Sequence, residues 1–226
     1  MSKHFFIAGT DTGIGKTRLA CALLTAAVGT GRRAVGMKPV ASGCRDSAQG
    51  MRNEDAEELM RASNVHAPYV DVNPYAFSPP ISPHIAAHEA GVEISPATVQ
   101  RHFAALAAQA DHVIVEGAGG WLAPIGEQLT MADIARTLGL PIVLVVGMRL
   151  GCLNHALLTQ RAIAASGLPL AGWVASCVAP DMDRLQQNLD VLTRRLEAPC
   201  WAVLPYAPQG VTPSIVGQLR DAAIPE

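Results

Sequence analysis

The chain has 226 residues, half of them hydrophobic, and 17 basic against 19 acidic side chains leave a net charge of −2. Only 16% are charged, against roughly 25% in an average soluble domain. These values argue against a disordered chain, a basic nucleic-acid surface and a membrane-surface patch, and no apolar run reaches the ~18 residues of a membrane span. The opening MSKHFFIAGTD has no basic region leading into a long apolar stretch, so no signal peptide is expected. Cys21, Cys44, Cys152, Cys177 and Cys200 are odd in number, far apart and form no CxxC pair. They read as free thiols in a reducing compartment, which makes the cytoplasm the expected location.

Residues 4–8 form the first apolar run and the first expected strand. Gly9-Thr10-Asp11-Thr12-Gly13-Ile14-Gly15-Lys16-Thr17 follows, and a helical pattern then runs over 17–28. Small residues between a strand and a helix leave backbone N–H groups free, and the helix N-terminus adds partial positive charge. A lysine at the end of such a loop reaches the β- and γ-phosphates, and the threonine after it ligates Mg²⁺. The strict pattern is G-x4-G-K-[ST]; here five residues separate Gly9 from Gly15. Strand, loop, GKT triplet and helix together still point to a nucleoside triphosphate.

The second run, 34–37, leads into Lys38-Pro39-Val40-Ala41-Ser42-Gly43. Lys38 therefore stands on the same rim as Lys16, where a second cation can offset charge on a transferred phosphoryl group. A helical pattern covers 54–63. Spacing alone leaves open whether Lys38 is a working cation or a solvated loop lysine. It also leaves open whether Asp55, or its neighbours Asn53 and Glu54, serves a site or merely caps the helix. Residues 64–83 carry Pro68, Pro74, Pro79, Pro80 and Pro83, too many for a helix or an inner strand. A long ordered loop of that kind is more often functional than idle.

A helix is expected over 96–110, then a strand over 113–115 that ends at Glu116 and runs into Gly117-Ala118-Gly119-Gly120. An acid at a strand end beside a phosphate loop is placed to hold magnesium, and the glycines let backbone approach a ligand. Helices over 131–138, 153–166 and 183–196 alternate with runs at 142–146, 172–178 and 202–204. Strand–helix alternation with near-continuous apolar strands predicts an α/β, doubly wound, mostly parallel sheet with helices on both faces, in a single domain over 1–226. Ligands then belong at the carboxyl ends of the strands. His84 and His88 are four apart, but Ile85 stands where a zinc protease needs Glu, so they are set aside.

Taken in order, GTDTGIGKT at 9–17, MKPVASG at 37–43, NEDA at 53–56, VNPYAFSPPISPH at 72–84, VEGAGGW at 115–121, LVVGMRLGCLNH at 144–155 and AGWVAS at 171–176 resemble the dethiobiotin synthetases, a P-loop NTPase family. The resemblance spans the chain to about residue 178 and is loose beyond it. It implies Mg-ATP-dependent ring closure of 7,8-diaminononanoate with CO₂ or bicarbonate, through a carbamate and a carbamic–phosphoric mixed anhydride, to dethiobiotin in biotin biosynthesis. It implies that Gly13, Ile14, Gly15, Lys16, Thr17 and Arg18 bind the ATP phosphates, that Thr17, Asp55 and Glu116 arrange Mg²⁺, and that Gly117, Ala118 and Gly119 approach the nucleotide. Lys16, Lys38 and Thr12 are the implied catalytic residues. Thr12, Lys38 and Ser42 line the implied amine and carbamate pocket, and Gly151, Cys152 and Leu153 hold the substrate carboxylate from the other subunit of a homodimer. The base pocket is implied around Ser176, Cys177, Pro205, Tyr206 and Ala207.

The chain departs from the family pattern in two places. Asn-Asp is usual where this chain has Ser176-Cys177, and a hydroxyl is shorter and less selective towards adenine than an amide. Asn188 stands where a tyrosine helps to hold the substrate carboxylate. Two rival enzyme or switch readings fit less well. Partitioning ATPases carry a lysine early in the phosphate loop, where this chain has Asp11, and need a DNA- or membrane-binding surface. Corrinoid a,c-diamide synthases need an ammonia source in an attached glutaminase domain, for which 226 residues leave no room. A binding module without chemistry would leave Lys38 and the 72–84 stretch unexplained.

Overall fold

The computed structural model describes residues 4–206 and 212–224. In chain order the elements are β1 (Phe5–Gly9), α1 (Lys16–Gly29), β2 (Ala34–Met37), β3 (Val40–Ala41), α2 (Glu54–Ala62), α3 (Tyr69–Val72), β4 (Tyr75–Ala76), α4 (Pro83–Glu89) and α5 (Pro96–Ala107). They continue as β5 (His112–Glu116), α6 (Met131–Leu138), β6 (Ile142–Met148), α7 (Cys152–Ala165), β7 (Leu170–Cys177), α8 (Leu185–Arg195), β8 (Cys200–Leu204) and α9 (Pro213–Ala223).

Six strands form one sheet in the order β2-β5-β1-β6-β7-β8, and every pairing in it is parallel. Strand alternation splits the core between its two faces. Phe5 and Ile7 of β1 pack with Leu19, Leu23 and Leu24 of α1 and with Ile215 and Leu219 of α9. Phe6 and Ala8 pack on the other side with residues of α5, α6, α7 and α8. Both faces are therefore covered, which is why the inner strands read as continuous apolar runs. The chain leaves β1 towards one edge, returns through β5, and crosses to β6 on the other side. β1 thus sits where the winding direction reverses, and the crevice at its carboxyl end is the place such folds offer to a ligand.

Two sequence expectations need correction. Residues 64–83 are not wholly irregular: they contain α3 and the two-residue strand β4, which pairs in parallel with β3 in a separate small sheet. Prolines 68, 74 and 79 flank these short elements rather than interrupt them, so the count of prolines limited element length without forbidding elements. The second concerns two helices that were not expected, α4 and α9; the latter is the weaker pattern. Its Gly217 weakens the helical pattern, and the helix is held by its apolar stripe of Ile215, Leu219 and Ala223.

Candidate active site

The loop after β1 turns on two left-handed glycines, Gly13 at φ 68° and Gly15 at φ 92°, a conformation that costs other residues dearly. Gly15 is the N-cap of α1, no side chain caps that end, and the first turn holds no acid. Its backbone N–H groups are thus left for an outside anion. Lys16 folds back so that its Nζ donates to the Asp11 carbonyl at 2.7 Å. Burial, with Lys38 nearby, lowers its pKa to about 8. Asp11 accepts from the Thr12 N–H at 2.7 Å and is also paired with Arg149, and that backbone bond with the neighbouring guanidinium holds its carboxyl below the usual range.

Sheet register brings the next groups together. Met37 of β2 lies beside Val115 of β5, so Lys38 and Glu116 follow side by side. Lys38 is buried, with its Nζ 2.6 Å from Glu116 Oε1 and 2.8 Å from Asp55 Oδ2. Thr17 Oγ1 donates to the same Glu116 Oε1 at 2.9 Å, while Glu116 Oε2 is buried with no hydrogen-bond partner. Burial alone would discharge Lys38, but the two carboxylates outweigh it and raise its pKa. Burial works to raise Asp55 too, yet the Lys38 ammonium overrides it and the net direction is downward. The solvated-lysine alternative is thereby removed.

The helix start also resolves. Asn53 caps α2, its side chain accepting from the Ala56 N–H at 3.2 Å. Asp55 is thus released from capping and faces Lys38. The proline-rich stretch has a task here as well. Lys38 N–H donates to the Val72 carbonyl at 2.8 Å, and the Asn73 amide donates to the Lys38 carbonyl at 2.6 Å. The lysine's backbone is clamped from both directions, so only its side chain is free to move. Asn53 was one of the candidates left open for that helix start, whereas Asn73 and Arg149 are contributors that the sequence reading missed.

Lys16, Thr17, Lys38, Asn53, Asp55 and Glu116 line a cleft of about 300 Å³ that also includes Thr12, Gly13, Gly15, Ser42, Ala118 and Gly119. A second cleft of about 190 Å³ lies across the phosphate loop, between Gly13, Ile14, Gly15, Arg18, Ser176, Cys177 and Tyr206. Arg18 belongs to this second space, donating to the Pro205 carbonyl at 2.6 Å. Gly117 packs against Phe6 and lines neither cleft. Gly151, Cys152 and Leu153 also line neither; they open α7, and Leu150 just before them is 98% exposed. Ala207 lies outside the described residues, and Asn188 donates to the Arg184 carbonyl within its own helix.

The oxygens of Thr17, Asp55 and Glu116 are the hard donors that Mg²⁺ prefers, and the unpartnered Glu116 Oε2 is a buried acceptor that a cation would satisfy. Among the described residues no cluster of three or more His, Cys, Asp or Glu side chains could hold a metal by itself. Mg²⁺ is commonly bound by one or two carboxylates and completed by substrate phosphates and water.

A family model described as an AAA domain matches residues 3–214. The ATP-dependent dethiobiotin synthetase BioD of Xanthomonas oryzae pv. oryzae (strain PXO99A) is 52% identical over 204 residues, 90% of this chain and 91% of that protein. The protein of the same name from Aromatoleum aromaticum is 52% identical over 218 residues, covering 96% and 97%. Among solved structures, MinD of Aquifex aeolicus superposes with a TM-score of 0.61 at 12% identity, covering 97% of this chain and 96% of that one. A ParA family ATPase of Chlorobium tepidum gives 0.58 at 14%, covering 98% and 90%. At such identities these structures share the P-loop NTPase fold alone.

Proposed function

The chain belongs to the ATP-dependent dethiobiotin synthetases, and we propose that the Lys16–Lys38 cleft is where it closes the ureido ring. It is a ligase of biotin biosynthesis that forms C–N bonds using ATP. The observation that carries the site assignment is the buried Lys38, held between Asp55 and Glu116 directly across from the phosphate loop.

In this reading one amine of 7,8-diaminononanoate takes up CO₂ as a carbamate beside Thr12, Ser42 and Lys38. A carbamate oxygen attacks the γ-phosphorus and the bond to the ADP oxygen breaks, giving the mixed anhydride. The second amine then attacks the carbonyl carbon, loses a proton and expels phosphate, which closes the ring. The N-terminus of α1 cradles the triphosphate, Lys16 reaches its β- and γ-oxygens, and Lys38 offsets charge on the transferred group. Thr17, Asp55 and Glu116 would hold Mg²⁺, which when bound neutralises phosphate charge. Arg18, Ser176, Cys177, Pro205 and Tyr206 hold the base.

The chain works as a homodimer in the cytoplasm. In this reading Gly151, Cys152 and Leu153, which line neither cleft of their own chain, serve the site of the other subunit. Five free cysteines fit a reducing compartment. No helix among the described residues is long and apolar enough to cross a membrane.

The deciding experiment incubates the protein with ATP, Mg²⁺, bicarbonate and the diamine and measures dethiobiotin by mass. Phosphate release that ignores the diamine overturns the assignment.

A further inference from the structure

The two carboxylates assigned to the metal are already engaged by a cation. Glu116 Oε1 accepts from both Thr17 Oγ1 at 2.9 Å and Lys38 Nζ at 2.6 Å, so both of its lone pairs are used. Asp55 Oδ2 accepts from the same ammonium at 2.8 Å. An ammonium and a divalent ion cannot share those oxygens at such distances, so while Lys38 stays in place a metal meets only the second oxygen of each acid, of which Glu116 Oε2 is buried and without a hydrogen-bond partner. The charge balance points the same way. Lys16 and Lys38 offset Asp55 and Glu116 within one cleft, so a bare divalent cation meets no net negative charge there. A triphosphate supplies that charge when it seats on the loop.

From this we infer that Lys38 guards the metal oxygens: free Mg²⁺ is kept out, and Mg²⁺ arriving with the triphosphate displaces the ammonium, which turns to the phosphoryl oxygens. The inference rests on Asp55 and Glu116 being the metal carboxylates. Its geometry is local. The Lys38 backbone is fixed by Val72 and Asn73, so the exchange moves only a flexible four-carbon side chain. Arming the lysine and loading the metal thereby become one event, and an ATP molecule without metal leaves Lys38 paired with its acids.

The test reads metal binding rather than turnover. Mn²⁺ affinity is measured without nucleotide in the wild type, in Lys38→Met and in Lys38→Met/Asp55→Asn. The single variant is expected to bind Mn²⁺ at least tenfold more tightly than the wild type (about 1.4 kcal/mol per tenfold), and the double variant to lose that gain. Equal affinity in wild type and Lys38→Met overturns the inference. The metal assignment is tested separately: with a non-hydrolysable ATP analogue present, Asp55→Asn must weaken Mn²⁺ binding, or Asp55 is not a ligand. The wild type offers a second route should Lys38→Met fold poorly. Its only lysines are Lys3, Lys16 and Lys38, so the ¹⁵Nζ signals are few. In analogue-saturated protein the coupling from Lys38 ¹⁵Nζ across the hydrogen bond to the Glu116 carboxylate carbon should vanish as Mg²⁺ is added. A coupling that survives saturating Mg²⁺ overturns the displacement.

Discussion

Thr17 Oγ1 donates to Glu116 Oε1 at 2.9 Å, joining the first turn of α1 to the end of β5 across 99 residues of chain. The bond aligns the Thr17 hydroxyl with the one fully buried carboxylate that faces the triphosphate cleft. Thr17→Val keeps the shape and removes the donor. We expect turnover to fall by about 10²-fold, the size of losing one preorganised polar group, and stability to fall by only about 1 kcal/mol. Turnover against Mg²⁺ concentration and a urea midpoint separate the two effects. Unaltered turnover would remove Thr17 from the site.

Lys16 supplies a pH dependence. Burial and the nearby Lys38 lower its pKa from 10.5 to about 8, whereas bound phosphates favour its charged form. Above pH 8 the empty protein has partly lost that proton and ATP binding must restore it, so affinity should fall as pH rises past about 8. The sign for folding is opposite. The unfolded chain holds more protons than the folded one between about 8 and 10.5, so this group's contribution makes stability rise with pH over that window. Calorimetry at pH 9 in buffers of different ionisation enthalpy should register proton uptake with ATP. Identical heats in all buffers would mean that Lys16 is already fully charged.

A third test concerns the sheet that positions the loops. A Cβ at Gly172 of β7 would lie 2.2 Å from Trp201 Cε2 and Nε1, on a side chain that is 8% exposed. Gly172→Ala should therefore cost about 1–3 kcal/mol, the usual penalty for overpacking, and Trp201→Leu in the same chain should recover part of it. Urea midpoints of both variants check this. A Gly172→Ala protein as stable as wild type would mean that β8 moves aside freely.

The strands could be read directly because both faces of the sheet are covered, so Ala34–Met37 and Ile142–Met148 show continuous apolar runs. The phosphate loop was legible for a different reason: its glycines, lysine and threonine lie next to one another in the chain. What spacing could not reach was the company Lys38 keeps. That depends on β2 and β5 being neighbours with Met37 beside Val115, a long-range pairing that no local pattern encodes. The choice between Asn53 and Asp55 depended on which side chain takes the helix cap, and the two are equally good caps on paper. Arg149 was invisible because its partner Asp11 sits in a loop 138 residues away.

Nucleotide choice is the last consequence. Ser176 is 3% exposed, and a Cβ on Gly15 would stand only 2.9 Å from its Oγ, which puts the hydroxyl directly beneath the phosphate loop. The other polar side chains lining the second cleft are the Arg18 guanidinium, which only donates, the Cys177 thiol, a weak partner, and the Tyr206 phenol. No carboxamide among the described lining residues both donates and accepts at the base edge. Adenine and guanine differ in whether they donate or accept at one ring substituent, and discrimination needs a group that one base leaves unpaired. The wild type should therefore use ATP, GTP and CTP with kcat/KM values within about tenfold of each other, short of the preference a paired amide gives. Ser176→Asn should raise the ATP-to-GTP ratio by about tenfold, roughly the worth of one hydrogen bond. A ratio that stays level or drops in Ser176→Asn would show that base selection is made elsewhere.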